Sequence, residues 1–447
     1  LGIRSFWLGA AAMAALLTTT GTAWAAPAGD LASPRFGTWG VDLSGRAQGV
    51  RPGDDFFRFA NGTYLDKLEI PADRATFGNF HVLRDLSEAR VRDLVERGGS
   101  DPDAAKIGAF YKSFMDEARV EALGDRPLRA DLETIRAAMS RDALAGVMGD
   151  APRSFHDAIF GFYIYADEKA PERYGVYLSQ GGLGLPDRDY YLTAQFAEQK
   201  AKYELYIAQL LGMIGWPDAA AQAKAIVEFE TRIAEASWTR AEQRDRDKTY
   251  NAMTVAELEA AAPGFAWREF LRAAKLGERE QLIVSESTAI PKIAAIYAAT
   301  PLETLKAWSA FGLVDNAAPY LSKGFADARF EFRNKTLSGQ PEQRERWKRA
   351  VTALESGMGE AVGRLYVADY FPPDAKAKMD ALVADLKTAM GARIDRADWM
   401  SAATKEQAHQ KLARFTVKIG YPVKWRDYAG LEVREDDLYG NIARANA

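Results

Sequence analysis

Three histidines and no cysteine bound the metal chemistry open to this 447-residue chain. His81, His156 and His409 are far apart, and none is followed by Glu and then a second His one helical turn on. A catalytic zinc ion takes three protein ligands from His, Glu, Asp and Cys. The H-E-x-x-H spacing would supply two of them from one helix face. That spacing is absent, so the imidazoles are expected at the surface or the edge of the core.

Other chemistries fare no better. G-x-S-x-G is missing, and Ser338-Gly339 has no strand-to-helix context for a nucleophile. Without cysteine there is no thiol mechanism. The adjacent acids Asp54-Asp55 and Asp436-Asp437 read as helix caps or solvated faces, because carboxylates favour the first helical turn. The loop 181–188 (GGLGLPDR) lacks the Lys-Ser/Thr ending of a P-loop and the spacing of a dinucleotide loop. The basic run Arg344–Arg349 (RERWKR), laced with Glu342 and Glu345, reads as a solvated helix face. The sequence therefore assigns no catalytic residue, no metal ligand and no substrate-binding residue.

The elements around these residues are mostly helical. Apolar residues make up 48% and charged residues 27%, the balance of a globular protein with more than one core. With net charge -4 and no basic stripe, nucleic acid is excluded as a partner. Arg4, the apolar run 6–17 and Ala23-Trp24-Ala25 have the form of a cleaved secretory signal. Secretion or a periplasmic or envelope location is expected, with membrane attachment only if that segment is kept as an anchor. Residues 26–50 read as an extended arm. Helices are expected at 54–65, from Leu83, at 103–118, 128–139, 194–214, 219–238, 254–261, 267–274 and 301–317. A hairpin is expected within 157–178, turning near Pro171-Glu172-Arg173. The clearest helix is 374–396, where Met379, Leu382, Val383, Leu386, Met390 and Ile394 follow 3-4 spacing. Thr404 with Gln407 fits a capping box, and 417–421 (VKIGY) reads as a short strand. Residues 435–447 read as a helix without a stop signal. With Leu rather than Met at position 1, this gives the expectation of a fragment.

An ordered set of blocks carries more than any single motif. Residues 52–62 (PGDDFFRFANG), 182–192 (GLGLPDRDYYL), 250–258 (YNAMTVAEL), 337–339 (LSG), 344–351 (RERWKRAV), 365–367 (LYV) and 418–425 (KIGYPVKW) run in one order. Together they resemble the neprilysin and endothelin-converting-enzyme family of zinc metalloendopeptidases. The resemblance implies a mainly α fold with minor β: a large helical lobe capping a thermolysin-like catalytic lobe. The implied domains are 1–25 signal, 26–50 arm, 51–371 helical peptidase-family domain and 372–447 linking helices. The implied activity is hydrolysis of short peptides, with Zn2+ as cofactor in the full-length enzyme. The family's H-E-x-x-H helix, third ligand Glu and Asn-Ala segment match nothing here and are expected beyond Ala447, on a missing catalytic lobe of the same polypeptide. The chain alone should then bind no catalytic zinc and be inactive. Two departures stand out. Animal neprilysins carry Arg where this chain has Thr76, and Asp where it has His81. That Arg helps hold a substrate's terminal carboxylate, and nearby Arg74 is expected to play a surface role instead. Absent disulfides suggest a bacterial-type member. Taken alone, the missing zinc motif points instead to a non-catalytic secreted helical protein that binds peptides.

Overall fold

The computed structural model describes residues 31–32, 40–277 and 279–447. The expected signal segment and residues 26–30 and 33–39 of the arm lie outside them. The described residues fall into two units. One holds those up to Pro71 together with Phe77–Ala89, and the other holds Ala72–Thr76 and Arg90–Ala447.

In the first unit α1 (Phe56–Lys67) starts where Asp55 accepts a hydrogen bond from the Arg58 amide at 2.7 Å. This is the cap expected of the Asp54-Asp55 pair. The helix lies against a short turn, Leu43–Gly45, and Thr63 Oγ1 donates to the Arg46 carbonyl at 2.8 Å. The boundary between the units falls within α2 (Asn79–Arg97).

The second unit carries the apolar core. It opens with α3 (Ala104–Met115), α4 (Glu117–Leu123), α5 (Arg129–Ala137) and α6 (Arg141–Gly149). The single helix expected over 103–118 is broken. Asp116 leaves helical geometry and caps α4 through the Arg119 amide at 3.0 Å. Next come strands β1 (Phe160–Asp167) and β2 (Ala170–Gln180), then α7 (Asp189–Leu192), α8 (Ala197–Met213) and α9 (Ala219–Ala236). After them follow β3 (Asn251–Thr254), α10 (Val255–Ala261), α11 (Trp267–Ala273) and β4 (Gln281–Val284). The remainder is α12 (Ala289–Ala299), α13 (Leu302–Ala317), α14 (Lys323–Arg329), a π-helical stretch (Phe330–Thr336), α15 (Arg346–Tyr370), α16 (Pro373–Arg396), α17 (Ala402–Ala413) and α18 (Leu438–Asn446).

The sheet order is β1-β2-β4-β3, with only β2 and β4 parallel. The hairpin expected within 157–178 forms, but it turns at Glu168-Lys169, and Pro171 lies within β2. Asp167 decides the position. Its carboxylate accepts the Lys169 amide at 2.9 Å, and Arg173 and Tyr250 also bind it. At the centre of the unit, α13 is buried on nearly every side, including Leu305, Trp308, Phe311 and Val314. A helix buried all round belongs inside a core rather than on its surface.

Near the C-terminal end three expectations change. The cap of α17 is Ser401, which accepts the Thr404 amide at 3.2 Å; Thr404 lies inside the helix. Residues 417–421 form no strand, and the Ile419 carbonyl accepts from Lys376 Nζ at 2.6 Å. The six apolar residues of α16 do not face a core. Of them only Ile394 is buried, while Met379, Leu382, Leu386 and Met390 are 41%, 48%, 60% and 50% exposed.

Candidate functional site

The three histidines do not come together. His156 is buried after α6, with Nε2 3.9 Å from Asp131 and Nδ1 without a hydrogen-bond partner. Burial lowers its pKa, and Asp131 and Asp150 only partly oppose that. His409 lies on α17 and pairs through Nε2 with Asp395 of α16 at 2.8 Å. His81, in the other unit, stacks on Phe77. Among the described residues no group of three or more His, Cys, Asp or Glu could hold a metal ion. These residues do not fit a zinc ion.

Two sequence-based readings of charge are corrected. Arg74 is not at the surface; it is 8% exposed and its Nε donates to Asp73 at 2.8 Å. Lys348 Nζ reaches the same carboxylate at 3.2 Å. Burial would raise the Asp73 pKa, but the hydrogen bonds from Arg74 and Lys348 hold it down at about 2. The Arg344–Arg349 run is likewise half-buried instead of solvated. Arg346 and Arg349 lie over the Phe114 ring, 5.2 and 6.0 Å from its centroid, and Arg346 Nε donates to the Phe114 carbonyl. Long basic side chains readily bury their stems against such apolar surface.

The loop 181–188 is anchored by a buried network. Glu230 stands on the buried stripe of α9, among Ala223, Ile226, Val227, Ile233 and Ala234. Its carboxyl accepts from Tyr191 at 2.5 Å, from Trp308 Nε1 at 2.9 Å and from Tyr203 at 3.2 Å. Tyr191 in turn accepts the Leu185 amide at 2.9 Å. Full burial raises the Glu230 pKa to about 7, against the pull of its donors. Beside it, Asp315 accepts from Arg333 Nη2 and Tyr206 Oη, each at 2.5 Å. Arg333 also donates to the Gly184 carbonyl. Burial opposes the Arg333 charge, but Asp315 more than restores it and its pKa is raised. Asp157, close by, is pushed up to about 6 by burial.

Gly184 is required at its position. A Cβ there would stand 1.8 Å from Tyr203 Oη. The network therefore fixes one loop conformation. No motif singles out Glu230; a lone acid in an apolar 3-4 stripe is its one sequence signal. These buried groups bond to one another, so the network holds a loop in place and offers no nucleophile to solvent.

What does face solvent is apolar. Besides the stripe of α16, Trp399, Phe415 and Val423 are exposed, at 77%, 61% and 104%. The surface is held in place from behind: Lys387 Nζ donates to the Phe415 carbonyl at 3.2 Å, and Lys405 Nζ to the Asp395 carbonyl at 2.7 Å. An exposed apolar stripe such as that of α16 marks a place where another surface docks.

Comparison with known proteins gives this arrangement a context. The sequence pattern of Peptidase family M13 matches residues 52–422. The zinc metalloprotease Zmp1 of Mycobacterium tuberculosis, solved with an inhibitor, superposes with a TM-score of 0.85 at 39% identity, over 91% of this chain and 63% of that one. Endothelin-converting enzyme-like 1 of Rattus norvegicus is 28% identical over 394 residues, 83% of this chain and 51% of its own length. Endothelin-converting enzyme 1 of Homo sapiens is 27% identical over 396 residues, covering 85% and 51%. PepO from Lactobacillus rhamnosis shares the fold, with a TM-score of 0.77 at 21% identity over 89% of this chain and 65% of that one. The chain spans about half the length of the curated relatives it matches.

Proposed function

The chain belongs to peptidase family M13, and from that membership we propose that it supplies the substrate-chamber lobe of a neprilysin-like zinc metalloendopeptidase acting on short peptides. The single observation that carries the reading is the exposed stripe of α16. An amphipathic helix owes its stability to covering its apolar face, yet here Leu382, Leu386 and Met390 face water. The proposed cover is a catalytic lobe of the same polypeptide. Zinc belongs to that lobe and not to His81, His156 and His409.

In this reading the present residues do no bond chemistry. Tyr191, Tyr203 and Trp308 hold Glu230, Arg333 holds Asp315 and the Gly184 carbonyl, and the loop between β2 and α7 is thereby a rigid wall. Rigid walls enclosing a chamber admit short chains and exclude folded proteins. Arg74 is committed to Asp73, so no substrate-carboxylate role is assigned to it. The segment before Ala26 is proposed to direct export to the periplasm, the envelope or the outside.

The test compares the protein as its host makes it with the 447-residue chain. The natural protein should bind zinc stoichiometrically and cleave short fluorogenic peptides in a chelator-sensitive way; the 447-residue chain should do neither. A natural protein without zinc and without peptidase activity would sink the reading and favour the non-catalytic peptide binder. Stoichiometric zinc with cleavage by the 447-residue chain would overturn the assignment of the zinc site to another lobe.

A further inference from the structure

The outer half of the β1–β2 hairpin serves neither the core nor the loop network. β1 is an edge strand, hydrogen-bonded only to β2 in the sheet. Its inner end is anchored, with Phe160 packed on Trp267 and Phe162 on Phe270. Beyond that point Tyr163 stacks on Tyr177, and the side chains are otherwise largely open to solvent. Tyr163, Ile164 and Tyr165 are 48%, 58% and 63% exposed, and Tyr174 on β2 is 81% exposed.

Edge strands are normally guarded by a charge, a proline, a bulge or a covering element. Residues 160–166 (FGFYIYA) contain no charge and no proline. The only register irregularity comes at Ala166/Asp167, after the exposed stretch. Such an edge accepts another strand.

We infer that the partner is a second copy of this chain, joined by antiparallel pairing of β1 with β1 about a two-fold axis through Ile164. Residues directly opposite in an antiparallel pair project to the same face. Centring on Ile164 sets Tyr163 against Tyr165 of the other copy, and Tyr165 against its Tyr163. Ile164 meets Ile164 on the opposite face, where Tyr174 flanks it. The interface is isologous, as two-fold dimers require, and no like charges stand opposite one another within 160–166. At roughly 200 Å² for a whole aromatic side chain, the four residues expose on the order of 500 Å² per copy. Edge pairing leaves part of both faces open, so two copies bury less than about 1,000 Å², the size of a weak, reversible interface.

The absence of cysteine makes a direct test possible. Ile164→Cys places two thiols opposite each other, at a spacing that antiparallel pairing makes compatible with a disulfide. Mild oxidation should give a disulfide-linked dimer in high yield. Met139→Cys, at a site 84% exposed elsewhere on the chain, should give little. Sedimentation velocity of the unmodified protein should show a monomer–dimer equilibrium. Ile164→Lys should raise the dimer dissociation constant roughly tenfold or more, since like charges would then face each other. Residue 164 is exposed, so circular dichroism and the melting temperature should not change. A protein that stays monomeric at all concentrations overturns the inference and leaves the edge to an extended peptide. A dimer unaffected by Ile164→Lys, or equal cross-linking of the two cysteine variants, overturns it as well.

Discussion

Glu230 is the residue on which the anchoring argument can be tested most sharply. Two substitutions separate its roles. Glu230→Leu removes the acceptor and leaves Tyr191 Oη, Tyr203 Oη and Trp308 Nε1 buried without it. Each such loss costs about 1–3 kcal/mol, so a total of roughly 3–9 kcal/mol is expected, less whatever the removed carboxyl's own burial had cost. Glu230→Gln keeps the shape and one acceptor oxygen and should cost about 1–2 kcal/mol at acidic pH. The pH dependence distinguishes this account from simple packing. The carboxyl titrates near its ordinary 4.5 when unfolded and at about 7 when folded. Between those values the folded state holds more protons, so stability falls as pH rises. A difference of about 2.5 units corresponds to roughly 3 kcal/mol across that window. Thermal melts of wild type and Glu230→Gln at pH 4.5, 5.5, 6.5 and 7.5 should therefore converge and then cross as pH rises. Parallel pH profiles for the two proteins, or a Glu230→Leu variant as stable as Glu230→Gln at pH 7.5, would refute the reasoning.

Other consequences follow from the same structure. Arg333→Met leaves buried Asp315 with only Arg329, 3.5 Å away, as a counter-charge, and should cost about 2–4 kcal/mol in chemical unfolding; a change below about 1 kcal/mol would mean that the pair is solvated. Gly184→Ala drives a methyl group into Tyr203, and should lower the melting temperature by several degrees and expose the 181–188 loop to proteolysis. Unchanged melting and cleavage would place Tyr203 elsewhere. Leu386→Ser with Met390→Ser should cut binding of an apolar dye by the 447-residue chain while changing stability by no more than about 0.5 kcal/mol. A large loss of stability would show that the stripe is buried.

Local chemistry was legible where neighbouring residues decide it. Asp55 and Asp437 cap helices because a carboxylate one residue ahead of a helix meets free amides whatever lies beyond. Where distant partners decide, the reading changed. The hairpin turn moved to Glu168-Lys169 because Tyr250, far along the chain, helps hold Asp167. Arg74 went inside because Asp73 and Lys348 share its site.

The 3.6-residue period and the ordered blocks were enough to establish a mainly helical chain of peptidase character. Those signals are short-range, or lie in residue order itself, and survive without coordinates. Period alone could not say whether an apolar stripe is covered. α9 and α16 show the same spacing, yet α9 packs inward and carries Glu230, while α16 turns its leucines to water. Burial depends on what other segments stand opposite, and only the tertiary structure brings those together. The same holds for the histidines. Their spacing showed that no helix face could pair them, but it took the fold to place His156 beside Asp131, His409 beside Asp395 and His81 beside Phe77.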